Sequence, residues 1–176
     1  QAEELYSLAK ENNVVFMEAV KTAYCPGFHA MMAAAKSGKI GRIIDVEAAF
    51  SRLTPVNTRE YMAQDYNGSF LEFGSYVCMP VFELLGCDYD DVRFHSMRAV
   101  NGVDAYTKAV FSFGGKSAEV KTGLGVKTEG QLLISGTNGY ILAKSPWWLT
   151  KEFEIRYEDP NKKEVYKYAY EGSGLQ

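Results

Sequence analysis

Residues 105–126 read AYTKAVFSFGGKSAEVKTGLGV, and this stretch decides the fold. Two strand-forming runs, 105–113 and 117–126, flank Gly114-Gly115, a dipeptide typical of the two-residue turn between antiparallel strands. Asn138-Gly139 predicts a second such turn. Consecutive strands joined by tight turns indicate an antiparallel meander. The other strands predicted after residue 91 are 92–99, 130–136, 140–144, 151–158 and 164–170.

Two helices are predicted before this run of strands. Pro26 suits the first turn of a helix at 26–37, and an apolar stripe with helical spacing predicts another at 70–85. A strand at 42–53 and a loop at 54–68 separate them. Helices gathered ahead of strands indicate an α+β fold, with an open, mostly antiparallel sheet of about six strands and the helices on one face.

The first residues have a different pattern. A helix at 2–12 leads directly into the apolar run 14–17, which is typical of a buried parallel strand. A helix that ends in such a strand is half of a doubly wound unit.

At the other end of the chain, the predicted strands 151–158 and 164–170 carry aromatic residues at both odd-numbered and even-numbered positions. We therefore expect the sheet face opposite the helices to be covered by a second subunit.

Composition excludes several classes of function. The 176 residues are 47% hydrophobic and 23% charged, as in one globular domain, alone or with a remnant of another. A net charge of −3 without a basic stripe argues against nucleic acid, and no apolar run reaches bilayer length. Three cysteines without metal-type spacing indicate reduced thiols and a cytoplasmic protein. Two histidines cannot form a zinc site, so no metal is expected.

Glu72 and Tyr76 are the candidate catalytic pair. They lie four residues apart on the predicted helix 70–85, which places a carboxylate and a phenol on one face. Glu72 also has a purely structural interpretation, since Ser69-x-x-Glu72 matches a capping box. Lys21 follows the apolar run 14–17, where a crevice opens at the end of a parallel strand, so it is a candidate substrate ligand or a solvated lysine.

Several of these stretches together resemble the Gfo/Idh/MocA oxidoreductase family. They are residues 14–19, Pro26, 36–41 and the stretch 68–76, in which an acidic residue precedes tyrosine by four. The resemblance implies that residues 1–19 are the last helix and strand of a Rossmann domain. It implies that residues 20–176 are a C-terminal substrate and dimerisation domain, forming a homodimer through the open sheet face.

The resemblance also implies an activity. The intact protein would use NAD or NADP to act on a sugar, polyol or related alcohol or carbonyl, with the glycine-rich fingerprint and catalytic lysine preceding Gln1. This chain alone would bind no cofactor. The Glu72/Tyr76 pair is similar to the dihydrodiol dehydrogenase branch, although Ala23 stands where that branch has arginine. The alternative is a non-catalytic ligand-binding or dimerisation module.

Overall fold

A computed structural model describes residues 2–62 and 67–169. The helices of this part are α1 (Ala2–Glu11), α2 (Pro26–Lys36), α3 (Arg59–Met62) and α4 (Ser69–Leu85), with short 3₁₀ turns at Lys21–Tyr24 and Trp147–Leu149. The strands are β1 (Ile43–Ser51), β2 (Asp91–Arg98), β3 (Asp104–Ser112), β4 (Ser117–Gly123), β5 (Leu132–Gly136), β6 (Tyr140–Ala143), β7 (Glu152–Arg156) and β8 (Lys163–Lys167).

The strands form one open sheet in the order β2-β3-β4-β1-β5-β6-β7-β8. Only the central pair is parallel among these strands: Val46 of β1 lies opposite Ala118 of β4, whereas every other neighbouring pair is antiparallel. The predicted α+β class and mostly antiparallel sheet are confirmed. The sheet is larger than expected, with eight strands rather than about six.

The Gly114-Gly115 turn forms as predicted. Phe113 and Lys116 exchange backbone hydrogen bonds of 2.9 and 3.2 Å, and both glycines have positive φ, +53° and +91°, which glycine adopts without strain. The second turn is displaced by one residue. Gly136 N–H donates to the Gly139 carbonyl at 2.9 Å, so the two-residue loop is 137–138 rather than Asn138-Gly139.

Helices α2 and α4 pack on one face of the sheet and share its core. The fully buried residues Phe28 and Met31 of α2 meet Val77 and Val81 of α4 over the central strands. Burying an aliphatic or aromatic side chain of this size contributes about 1.5–3 kcal/mol. This core fixes both helices relative to the sheet, as the apolar stripe of the sequence predicted.

The aromatic residues of β7 and β8 do not lie on the open face, contrary to our expectation. Phe153 is buried and stacks on Tyr166, with ring centroids 4.8 Å apart, and on Tyr168 at 6.2 Å. These rings join the helix-side core, because Phe153 lies directly opposite Tyr166 in the ladder and Tyr168 is two residues further along the same face. On the open face, the ladder from β1 to β7 places Glu47, Leu133, Leu142 and Glu154 side by side.

Residues 14–20 form no strand, so the predicted buried parallel strand at 14–17 is wrong for this chain. Val15 is 87% exposed, and the segment has no regular structure. A parallel strand needs neighbouring strands, and none of the eight strands described pairs with it. The predicted loop at 54–68 also contains the short helix α3, and residues 63–66 lie outside the described ranges.

Helix α4 is tied to the sheet at its first turn by Asp104, the first residue of β3. One carboxylate oxygen accepts hydrogen bonds from Ser69 Oγ at 2.6 Å, Phe70 N–H at 3.0 Å and Thr107 Oγ1 at 2.8 Å. Ser69 is fully buried and also shares a hydrogen bond of 2.9 Å with Thr122. A carboxylate at a helix N-terminus also complements the helix dipole. Asp104 therefore sets where α4 begins.

We predict that Asp104→Ala destabilises the fold by about 2–4 kcal/mol, because it leaves one amide and two hydroxyl donors without their charged acceptor. Urea unfolding followed by circular dichroism measures the change. The control is Asp88→Ala, which removes an exposed carboxylate and should cost less than about 0.5 kcal/mol. Equal stability of the two variants would contradict the anchoring role.

Candidate active site

An open cleft of about 700 Å³ lies where β1 ends. Residues from four segments meet there, because β1 runs out of the sheet beside the 3₁₀ turn at 21–24 and the loops that follow β4 and β6. Its lining residues are Lys21, Phe50, Ser51, Arg52, Leu53, Lys127, Ser145, Pro146 and Trp148.

A stack of aromatic rings forms one wall of the cleft. Phe50 stacks on Trp148 with ring centroids 3.8 Å apart and on Phe73 of α4 at 4.3 Å. The neighbouring Trp147 is fully buried, and its indole N–H donates to the Ala49 carbonyl at 2.8 Å. That bond ties the loop carrying Trp148 to β1, so the wall has little freedom to move.

Tyr76 contacts this wall from α4. Its ring meets Phe50 edge-on, with centroids 5.3 Å apart, and the side chain remains partly exposed. Burial raises the pKa of the Tyr76 phenol, and the negative charges of Glu72 and Glu18 raise it further. The neutral phenol can donate a hydrogen bond or a proton.

Glu72 does not complete a capping box. Gly68 is the N-cap of α4 and makes no side-chain cap, so Ser69 is the first helical residue rather than the N-cap that the capping box requires. The Glu72 carboxylate instead lies 3.7 Å from Arg52 Nη2 and 3.8 Å from Arg59 Nη2. It remains 28% exposed, so it is free of the helix backbone.

Lys21 lines the cleft, although the strand at 14–17 on which its selection rested does not form. The adjacent Thr22 is fully buried, and its hydroxyl donates to the Trp148 carbonyl at 2.8 Å. This bond joins the 3₁₀ turn to the aromatic wall. Glu72 and Tyr76 do not line the cleft itself. Each instead contacts a residue that does, Glu72 through Arg52 and Tyr76 through Phe50.

The sequence analysis missed the basic residues Arg52 and Lys127. Arg52 pairs with Glu60 at 2.9 Å and lies over the Phe73 ring at 5.6 Å. Lys127 Nζ donates to the Ser51 carbonyl at 3.1 Å. Arg52 lies near the carboxyl end of the predicted strand 42–53, which is a usable signal. Nothing local marks Lys127, because 76 positions separate it from Ser51.

The described residues give little support for metal, histidine or thiol chemistry. They contain no group of three or more histidine, cysteine or acidic side chains placed to hold a metal ion. His29 and His95 are exposed, and burial raises the pKa of the Cys78 thiol to about 11, so its thiolate is disfavoured. Within the described ranges, helices are too short or too polar to cross a bilayer.

Comparison with known proteins identifies similar sequences. Residues 28–142 match the family described as the GFO/IDH/MocA C-terminal domain. The chain is 28% identical to scyllo-inositol 2-dehydrogenase (NADP⁺) of Bacillus subtilis over 169 residues, covering 90% of this chain and 50% of that protein. It is 24% identical to trans-1,2-dihydrobenzene-1,2-diol dehydrogenase of Bos taurus over 162 residues, covering 90% and 48%. The chain thus spans about half the length of these relatives.

Solved structures share the fold. KijD10, a 3-ketoreductase from Actinomadura kijaniata in complex with NADP and TDP-benzene, is similar with a TM-score of 0.78 at 20% identity. The match covers 94% of this chain and 53% of that one. The putative oxidoreductase yvaA of Bacillus subtilis has a TM-score of 0.71 at 15% identity, covering 98% and 56%. At these identities the likeness concerns the fold.

We predict that Glu72→Gln lowers the pKa of Tyr76, because it removes the negative charge that opposes ionisation of the phenol. The pKa should stay above the ordinary value of about 10, since burial, the larger cause, is retained. NMR of ¹³C-labelled tyrosine, assigned with Tyr76→Phe, measures it. The exposed Glu158→Gln is the control and should leave Tyr76 unchanged. An unchanged Tyr76 titration in Glu72→Gln would contradict the coupling.

Proposed function

Because this chain belongs to the GFO/IDH/MocA family, matching its C-terminal domain, we propose that it is the substrate-binding and dimerisation domain of an NAD(P)-dependent oxidoreductase. The substrate is a sugar, polyol or related alcohol or carbonyl. The names of the relatives, an NADP⁺-dependent inositol dehydrogenase and a diol dehydrogenase, support this class. Residues 1–19 are assigned to the end of a Rossmann domain and residues 20–176 to the substrate domain.

The observation that carries this proposal is the position of Tyr76 beside the cleft. Its phenol, like that of any tyrosine with a pKa of about 10 or above, is neutral at physiological pH and can donate to an oxygen of the substrate. Glu72, one helical turn away, is the carboxylate that accepts or relays the proton. Lys21 contributes a positive charge for binding the substrate.

NAD or NADP is the cofactor that this assignment implies. When bound, NAD or NADP carries the hydride. The sequence contains no GxGxxG stretch to hold its pyrophosphate, so we assign that cradle to the part of the relatives' length that this chain does not span. The residues described here bind the substrate, orient it against the aromatic wall and manage its proton.

We also propose a cytoplasmic homodimer. Cys25, Cys78 and Cys87 are free thiols, which suits a reducing compartment. The dimer forms through the open sheet face, where Leu133 of β5 lies opposite Leu142 of β6 in the ladder. Both leucines are only half-buried in the single chain, and neither packs against the helix-side core. A second subunit would remove this apolar surface from water.

We predict that Tyr76→Phe lowers kcat of the full-length enzyme by about 10²–10⁴-fold, the range for loss of a positioned proton donor. The ring and its contact with Phe50 are kept, so the melting temperature should hold. Tyr89→Phe, in the segment between α4 and β2, is the matched control. A Tyr76→Phe enzyme with unchanged kcat would exclude the catalytic role and favour the non-catalytic ligand-binding module.

We predict that Leu133→Glu converts the full-length dimer to monomer, or weakens the dimer at least about tenfold, by placing charge in its apolar centre beside Glu47. Light scattering across a concentration series measures this. Val100→Glu, on a fully exposed loop, should leave the assembly unchanged. A wild-type protein that stays monomeric at high concentration would contradict the proposed dimer.

A further inference from the structure

The balance of charge in the cleft identifies a class of substrate. Building on the proposed function, we propose that the substrate carries an anionic group, a carboxylate or a phosphate, attached to its sugar or polyol. Lys21 and Lys127 bind that group. The cleft thereby prefers sugar acids or sugar phosphates over neutral sugars and polyols.

The lining residues of the cleft are unbalanced in charge. They include three basic side chains, Lys21, Arg52 and Lys127, and no acidic one. Two carboxylates beside the cleft are already engaged: Glu60 lies 2.9 Å from Arg52, and Glu72 lies between Arg52 and Arg59. Neither lysine pairs with a carboxylate in the described ranges. Among the described residues, the cleft is therefore lined by two lysines that form no ion pair.

Both lysines are attached to the rigid part of the site. Lys127 Nζ donates to the Ser51 carbonyl at the end of β1, which keeps its ammonium group at the cleft. Lys21 begins the 3₁₀ turn that Thr22 joins to the Trp148 carbonyl. An ammonium group has three donors, so Lys127 can keep its carbonyl bond and still bind an anionic oxygen.

The aromatic wall would contact the sugar or polyol part of the ligand. Trp148 offers an apolar surface of the kind that packs against the C–H face of a sugar ring, and its stacking on Phe50 holds it in place. A cleft of about 700 Å³ is large enough for a monosaccharide with its substituent. An anionic group held by the lysines would leave the carbinol carbons on the side of Phe50 and Tyr76.

The test compares matched ligands on the full-length protein with NADP. Calorimetry measures the binding of D-glucose, D-glucuronate, D-glucose 6-phosphate and inorganic phosphate to the wild type. It then measures them on the double variant Lys21→Gln/Lys127→Gln. The control is Lys116→Gln/Lys163→Gln, which changes net charge equally at two exposed lysines outside the cleft. Comparing the uronate with the sugar phosphate separates the two sources of negative charge.

We expect at least one anionic ligand to bind the wild type about tenfold or more tightly than glucose. The cleft variant should lose that preference, while the control keeps it. Equal binding of glucose and both anionic sugars would overturn the inference. So would the absence of binding by every anionic ligand up to about 50 mM, above the millimolar Kd of a weak site. Retained preference in the cleft variant would also overturn it.

Activity assays separate this inference from the proposed function. Cofactor-dependent oxidation of neutral polyols, with no anionic substrate accepted, would leave the oxidoreductase standing and contradict the charge preference. A protein that binds anionic sugars through the two lysines but never binds NAD(P) would support the site and contradict the oxidoreductase.

Discussion

The carboxylate of Asp104 is the interaction on which the arrangement of the site depends. It accepts three hydrogen bonds, two of them from the first two residues of α4, and so joins that helix to the start of β3. The fold alone would hold α4 against the sheet through its apolar stripe. The carboxylate adds a defined starting point and hence a defined rotation, because each residue of a helix advances about 100° around its axis. Glu72 and Tyr76 take their directions from that start.

The same helix end explains why Glu72 is available for chemistry. A helix N-terminus has four amide groups that need acceptors, and a side chain of the first turn commonly supplies one. Here an acceptor comes from a different strand, 34 positions away from Phe70. Glu72 is left to interact with Arg52 and Arg59, and its charge raises the pKa of Tyr76. Asp104 thus holds the start of the helix, and the Glu72 carboxylate interacts with other side chains.

Much of the fold was predictable because its determinants are local. Gly114-Gly115 specifies its own turn through positive φ, and the apolar stripe of α4 specifies its buried face. The errors concern interactions with distant parts of the chain. The capping-box pattern at Ser69 does not form, because α4 starts one residue earlier, after Gly68, and Asp104 of β3 binds the Ser69 hydroxyl. The run at 14–17 has strand-like composition, yet no neighbour among the described strands pairs with it.

The candidate site was predicted in part for the same reason. Glu72 and Tyr76 share a helix, so their proximity follows from spacing alone. Lys127 reaches the cleft only because β4 pairs in parallel with β1, a crossover that hairpin turns do not reveal. Trp148 could be recognised as a candidate pocket residue, but its stacking on Phe50 depends on the bond between Trp147 and Ala49.

The central claim is that α4 presents the Tyr76 phenol to the reacting oxygen of a substrate held in the cleft. A crystal structure of the full-length protein with cofactor and a substrate tests it most directly. We expect the Tyr76 hydroxyl within about 2.6–3.2 Å of the hydroxyl or carbonyl oxygen that reacts. A substrate bound with that oxygen against other residues, and with Tyr76 out of hydrogen-bonding reach, would contradict the account.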